Sequence, residues 1–236
     1  MLIQFIEWLT EENPQPLVQS YLFLRRGIGI IGVALPFVLI FGKMLLERQF
    51  GILDSMSAYY ASVMRDVFVG SLWAIGIFLI CYQYDRLDNI TSTIAGVAAI
   101  FVALFPHPPV HQLSAACFFA ILAVMVIFLF RRTDQEQPEL RKRQRNTVYL
   151  ICGIAIVLSL VLIVVEHFLL SISWLKPHHP LFWLEVLAIE AFGFAWFVKG
   201  GMFILKDEKK GVVTSTNRET IPTFEPGLPA IDNLQQ

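Results

Sequence analysis

Six long apolar segments, each near the length that crosses a bilayer, leave this chain very few folds. A helix rises about 1.5 Å per residue, so about 20 apolar residues cover a hydrocarbon layer about 30 Å thick. Inside that layer no water satisfies backbone N–H and C=O groups, and a helix satisfies its own. The segments run about 21–46, 67–82, 90–105, 110–130, 147–170 and 181–205. The expected fold is all-α, a six-helix transmembrane bundle over residues 21–205. Composition agrees: 56% of residues are hydrophobic and 16% charged, against about 25% charged in a soluble domain. The net charge of −1 gives nucleic acid no basis as a partner.

The flanks read differently. Residues 1–20 lack the basic start and small-residue cleavage site of a secretory signal. Leu2, Phe5, Ile6 and Leu9 recur at helical spacing, so an interfacial amphipathic segment is expected, ending near Pro14. Residues 206–236 are polar, contain Pro222, Pro226 and Pro229, and read as a disordered cytoplasmic tail.

Lysine and arginine set the expected orientation. With the N-terminus inside, thirteen of them fall at inner ends and loops and four at outer ends, the latter being Lys43, Arg48, Arg65 and Lys176. Cytoplasmic loops carry such an excess. Both termini are therefore expected in the cytoplasm. The basic loop with Arg131, Arg132, Arg141, Lys142, Arg143 and Arg145 reads as topology control and contact with anionic membrane lipids. Tyr82, Tyr84, Tyr149 and Trp196 are expected in the inner aromatic belt, and Tyr59, Tyr60, Trp174 and Trp183 in the outer one. Ser92, Gly96, Ala99 and Ala103 fall on one helix face and predict close packing, with the third span central in the bundle.

All five histidines map to the outer side. His107 and His111 are four apart, but Pro108 and Pro109 split them and leave His111 in a helix's first turn, with Ser114 one turn on. His167 follows Glu166 at the outer end of the fifth span, and His178 and His179 precede the sixth. No HExxH or continuous HxxxH appears, so no metal site and no cofactor is expected. Cys81, Cys117 and Cys152 form no CxxC pair and read as packing residues. Neither a phosphate-loop motif nor a nucleophile elbow is present.

The densest polar segment is residues 54–66. Asp54, Ser57, Tyr59, Tyr60, Arg65 and Asp66 are its candidate binding residues. Asp66 suits the positive end of a helix, and Arg65 can pair with Asp54 or Asp66 or hold an anionic group. Two acids enter the sixth span. Glu185 stands near its start and Glu190 near the membrane middle, where an ionisable group is costly and functional by default. Ser71, Ser114 and Ser159 are its expected hydrogen-bonding candidates.

The stretch from Ser55 to Pro106, SMSAYYASVMRDVFVGSLW and onward, with LFWLEVLAIEAFGFAWFVKGG later, resembles a group of uncharacterised bacterial multi-pass inner-membrane proteins. That resemblance implies a class, a multi-pass bundle in a bacterial inner membrane, and no chemistry. A more distant likeness, to the alkaline-ceramidase and progestin-receptor superfamily, would imply seven helices and zinc-dependent lipid amide hydrolysis. The late HxxxH and the seventh helix are missing here.

Three functions follow as expectations. The leading one is binding or transport of a lipid head group or small polar solute in an outward-facing polar pocket. That pocket is built from the candidates of segment 54–66, His111, Ser114, Glu166, His167 and Glu185, with Glu190 along the path. The second is a metal-dependent lipid hydrolase at the outer interface. The third is a non-catalytic scaffold, in which the basic loop or tail recruits a cytoplasmic partner. A homo-oligomer is compatible with each.

Overall fold

The structure, a computed structural model, describes residues 16–48, 50–132, 140–169 and 178–201. Of the interfacial segment expected over residues 1–20, residues 1–15 lie outside these residues and 16–20 belong to the first helix; the tail from Lys206 also lies outside. Among the described residues six long helices carry the fold: α1 (Pro16–Glu47), α2 (Arg65–Cys81), α3 (Arg86–Leu104), α4 (Val110–Val124), α5 (Leu140–Leu169) and α6 (Pro180–Lys199). A 3-10 turn, Ser57–Ala61, precedes α2, and a π turn, Met125–Leu129, extends α4. Five stretches among the described residues are long and apolar enough to cross a membrane: Leu22–Glu47, Arg86–Leu104, Val110–Leu129, Lys142–Glu166 and Pro180–Lys199. The sixth helix, α2, has 17 residues, which still rises about 26 Å.

Local sequence explains the boundaries. Asp85 opens α3 four residues before the expected start, because its side chain accepts the Leu87 and Asp88 N–H groups. Pro109 precedes α4, whose first residues need no intrahelical N–H partner. Gly200 and Gly201 close α6 earlier than the expected 205. Gly201 takes φ 71° and donates to Val198 O at 3.2 Å. The basic run after Leu140 joins α5 rather than the loop, since Lys and Arg are good helix formers.

The helices alternate in direction, and each packs against its chain neighbours; α6 closes the ring against α1. Two glycine crossings make this possible. A Cβ on Gly96 would sit 2.5 Å from Gly76 O, fixing α2 against α3. A Cβ on Gly193 would sit 2.8 Å from Val33 N, fixing α6 against α1. Apolar attraction between helices is weak in lipid, so such backbone approach supplies dispersion instead. The stripe Ser92, Gly96, Ala99 and Ala103 is buried as expected. Yet α3 is not central: Ile90, Ile94, Val97 and Phe101 are exposed on its other side. Small residues predict closeness to neighbours, not the number of neighbours.

Trp196 is the hub of the interior. Its ring meets Tyr82 at 5.0 Å, Phe130 at 5.1 Å and Phe192 at 6.1 Å, all edge-on. Tyr82, Tyr149 and Trp196 are therefore core residues rather than members of an interfacial belt, and only Tyr84 of that set is exposed. On the histidine side, Tyr59 is fully buried while Trp183 is exposed. Sequence position gives depth along a span but not the direction a ring faces. The apolar exterior, such as Ile151, Ile154, Leu158 and Val161 on α5, suits lipid.

Candidate functional site

The two ends of the ring differ in charge and construction. At the histidine end, residues 54–64 fold over the bundle. Glu185 on α6 accepts the Met56 N–H at 2.6 Å through Oε2. His179 Nδ1, just before α6, lies 2.7 Å from Asp54 Oδ1. Glu47 at the end of α1 accepts the Val63 N–H at 3.3 Å and pairs with Lys43 at 2.9 Å. Ser55 and Ser57 hydroxyls bond each other at 2.9 Å, and Ser55 Oγ also accepts the Ala58 N–H at 3.0 Å. Burial pushes the Tyr59 hydroxyl above its ordinary range.

Most of these groups are satisfied within the segment or by α1 and α6, as a non-helical segment over a bundle end requires, whereas the buried Tyr59 hydroxyl has no hydrogen-bond partner among the described residues. Arg65 pairs with neither Asp54 nor Asp66. It donates to Tyr60 Oη at 3.0 Å and lies 4.6 Å from that ring's centre. Asp66 sits exposed in the first turn of α2 and supplies no side-chain cap, since Met64 holds the cap position. His111 Nδ1 lies 3.1 Å from Phe105 O, which closes the turn between α3 and α4. Ser114 and Glu166 are partly buried elsewhere, and among the described residues no hydrogen bond joins them to segment 54–66. The His167 side chain lies outside the described ones. Among the described residues, no three His, Cys, Asp or Glu side chains converge on a point that could hold a metal.

Glu190 stands midway along α6, ten residues after Pro180. Its Oε1 is buried without a hydrogen-bond partner, and so is Ser159 Oγ on α5. The expected serine bond is not made.

The opposite, basic end holds a cavity of about 360 Å³ between α1, α5 and α6. Arg25, Arg26, Lys142, Arg145 and Lys199 line it, together with Tyr84 and Tyr149. Leu22 and Val198 add an apolar wall. Among the described residues no acid lines it. Helical spacing builds each wall: Lys142, Arg145 and Tyr149 are three and then four apart on one face of α5, and Leu22, Arg25 and Arg26 share a face of α1. The glycine end of α6 completes the wall, where Arg26 Nε donates to Gly200 O at 3.2 Å.

The cations are held rather than loose. Arg25 stacks over the Tyr82 and Tyr84 rings at 5.4 and 5.5 Å. Lys199 lies 4.9 Å from the Phe130 ring centre and 5.9 Å from that of Tyr84. Asp88 sits beside this group, 3% exposed, close enough for its charge to act on Lys199. Asp85 pairs with Arg132 at 2.9 Å. The Asp88 and Leu87 N–H groups, with Arg132, hold the Asp85 carboxyl below its ordinary range. From the sequence, Arg25, Arg26 and Lys199 read as topology signals, and Lys142 and Arg145 as topology control with contact to anionic lipid. Their convergence depends on α6 closing against α1, which no local motif announces.

No protein-family model matches the chain, and neither a curated protein nor a solved structure matches it significantly. The inner-membrane family resemblance thus gains no second support. Fold and surface define a class: a multi-pass α-helical membrane protein.

Proposed function

We propose that this membrane protein binds a phosphate-bearing anion, the head group of a membrane lipid, in the basic cavity. The carrying observation is that five basic side chains, from α1, α5 and α6, and two tyrosines line one cavity. Cations that serve topology alone need only lie on the correct side of the membrane. A shared cavity goes further: planar guanidinium groups fit phosphate oxygens in pairs, and lysine adds a point charge. The volume falls within the ordinary range for small-ligand sites, about 300–1,000 Å³. Leu22 and Val198 provide apolar surface for the glycerol and first acyl carbons, and the cavity stands at the ends of apolar spans, the depth that basic residues beside head groups favour.

The basic cavity is favoured over the outward-facing pocket because Asp54, Ser55, Ser57 and Tyr60 already bond His179, each other or Arg65, and Glu185 is taken by the Met56 N–H. It is favoured over metal-dependent hydrolysis because the described histidines and acids do not converge. Calorimetric titration in neutral detergent tests the reading, with short-chain phosphatidylglycerol, phosphatidylcholine and inorganic phosphate as separate ligands. Phosphatidylglycerol should bind and phosphatidylcholine should bind much more weakly. Lys142→Gln and Arg145→Gln should each weaken binding about tenfold or more, since a hydrogen bond to a charged group contributes about 1.5–3 kcal/mol. Equal binding of the two lipids, or unchanged binding in both variants, would refute the proposal. Tighter binding of inorganic phosphate than of either lipid would assign the site to a free anion.

A further inference from the structure

The cations of the basic cavity are not equivalent. Arg26 Nε is spent on Gly200 O at 3.2 Å, and Arg25, Lys142 and Arg145 each have a partner as well. Lys199 differs. An ammonium carries three N–H donors, and among the described residues none of those of Lys199 meets an acceptor. Two ring faces and charges at longer range are its surroundings. Asp88 acts on it through charge, with no ion pair between them among the described residues.

The last turn of α6 suits a cation, because it is the negative end of the helix dipole. That accounts for the charge and not for its seat. Nζ lies 4.9 Å from the centre of the Phe130 ring and 5.9 Å from that of Tyr84. Phe130 is fully buried and is fixed edge-on against Tyr149 and Trp196. A ring face attracts an ammonium but gives its N–H groups no oxygen. Lys199 is thus seated in the cavity wall with hydrogen-bonding capacity to spare.

Tyr84 serves two cations at once. Its ring centre is 5.5 Å from Arg25 Cζ and 5.9 Å from Lys199 Nζ, so one ring faces cations of α1 and α6. Tyr84 belongs to neither helix. It stands in the connection between α2 and α3, where its N–H donates to Asn89 Oδ1 at 2.8 Å.

We propose that Lys199 makes the direct contact to the bound phosphate, and that Tyr84 is the positioning residue whose ring presents Lys199 and Arg25 to it together. The proposal rests on the head-group reading above and names the side chains that decide it. A phosphate oxygen is the acceptor that the ammonium lacks, and hydrogen bonds between charged groups are the stronger kind.

Calorimetric titration of the full chain in neutral detergent, with phosphatidylglycerol and inorganic phosphate as separate ligands, tests this. Lys199→Gln should weaken phosphatidylglycerol binding about a hundredfold, near the upper end for a bond to a charged group, and more than Lys142→Gln or Arg145→Gln. Tyr84→Leu should weaken it about tenfold, as the loss of two cation–ring contacts implies. Tyr84→Phe keeps the ring and should bind nearly as wild type does. Without lipid, Tyr84→Leu should melt with wild type, because the side chain it shortens is 67% exposed. A melting loss that parallels the binding loss would make the role structural and overturn the positioning claim, as would Tyr84→Phe binding as weakly as Tyr84→Leu. Acylation of amines on the wild-type chain, read by peptide mass spectrometry, needs no variant to fold. Phosphatidylglycerol should slow it at Lys199 more than at Lys142. Equal slowing at the two, or a Lys199→Gln loss no larger than that of the other cation variants, would overturn the direct contact and leave the binding site standing. If phosphatidylglycerol does not bind at all, both fall. Inorganic phosphate should rank the variants in the same order; if it also binds tighter than the lipid, the contact stands and belongs to a free anion.

Discussion

Glu185 of α6 and the backbone of Met56 are 129 residues apart in sequence and 2.6 Å apart in space. This bond, with the His179–Asp54 contact at 2.7 Å, fastens the polar segment at the histidine end to the start of α6. Glu185→Ala leaves the Met56 N–H without its partner and should destabilise the protein by about 1–3 kcal/mol. Glu185→Gln keeps an acceptor and should lose less. Thermal unfolding, with amide exchange over residues 54–62, checks both. Unchanged protection at Met56 in the alanine variant would show that the bond contributes nothing.

The glycine crossings make a sharper contrast. Gly76 and Gly96 face each other across α2 and α3, whereas Gly70 has nothing within 4 Å of an added Cβ. Gly96→Ala should cost about 1–3 kcal/mol through overpacking against backbone. Gly70→Ala should be neutral or stabilise by up to about 1 kcal/mol, because alanine is the better helix former. Equal effects of the two substitutions on melting would contradict the assigned helix contact.

Asp85 makes stability depend on pH. Its folded carboxyl titrates below the ordinary range because backbone N–H groups and Arg132 favour the charged form. The contribution is complete above the ordinary carboxylate range and is lost as pH falls through the lowered folded value. Asp85→Asn should therefore flatten the acid side of the melting curve against pH and leave its alkaline side unchanged. An unchanged acid slope would remove Asp85 from the cause.

Glu190 and Ser159 each keep a buried oxygen without a hydrogen-bond partner. Such groups cost stability, and an apolar residue of similar volume often removes the cost. Glu190→Met should stabilise the bundle by about 1–2 kcal/mol. A destabilised variant would mean that the acid makes a bond in the membrane that this arrangement does not contain.

Much of this architecture was legible in the chain. Apolar length gave six helices, and the turn at Pro108–Pro109 and the buried stripe of α3 followed from local rules. What escaped was facing. Tyr82, Tyr149 and Trp196 sit at interfacial depth by sequence, yet they point inward because α6 closes on α1. Residues 54–66 were readable as polar, but their partners Glu185 and His179 come from more than a hundred residues away. Arg25, Lys142 and Lys199 were visible as three separate charges. Only the closed ring makes them one surface.

The central claim is that the basic cavity selects an anionic lipid. Native mass spectrometry of the protein released from nanodiscs of equal phosphatidylglycerol and phosphatidylcholine tests it most directly. One phosphatidylglycerol should be retained on the wild-type chain and lost from the Lys142→Gln/Arg145→Gln variant. Equal retention of the two lipids, or full retention by that variant, would contradict it.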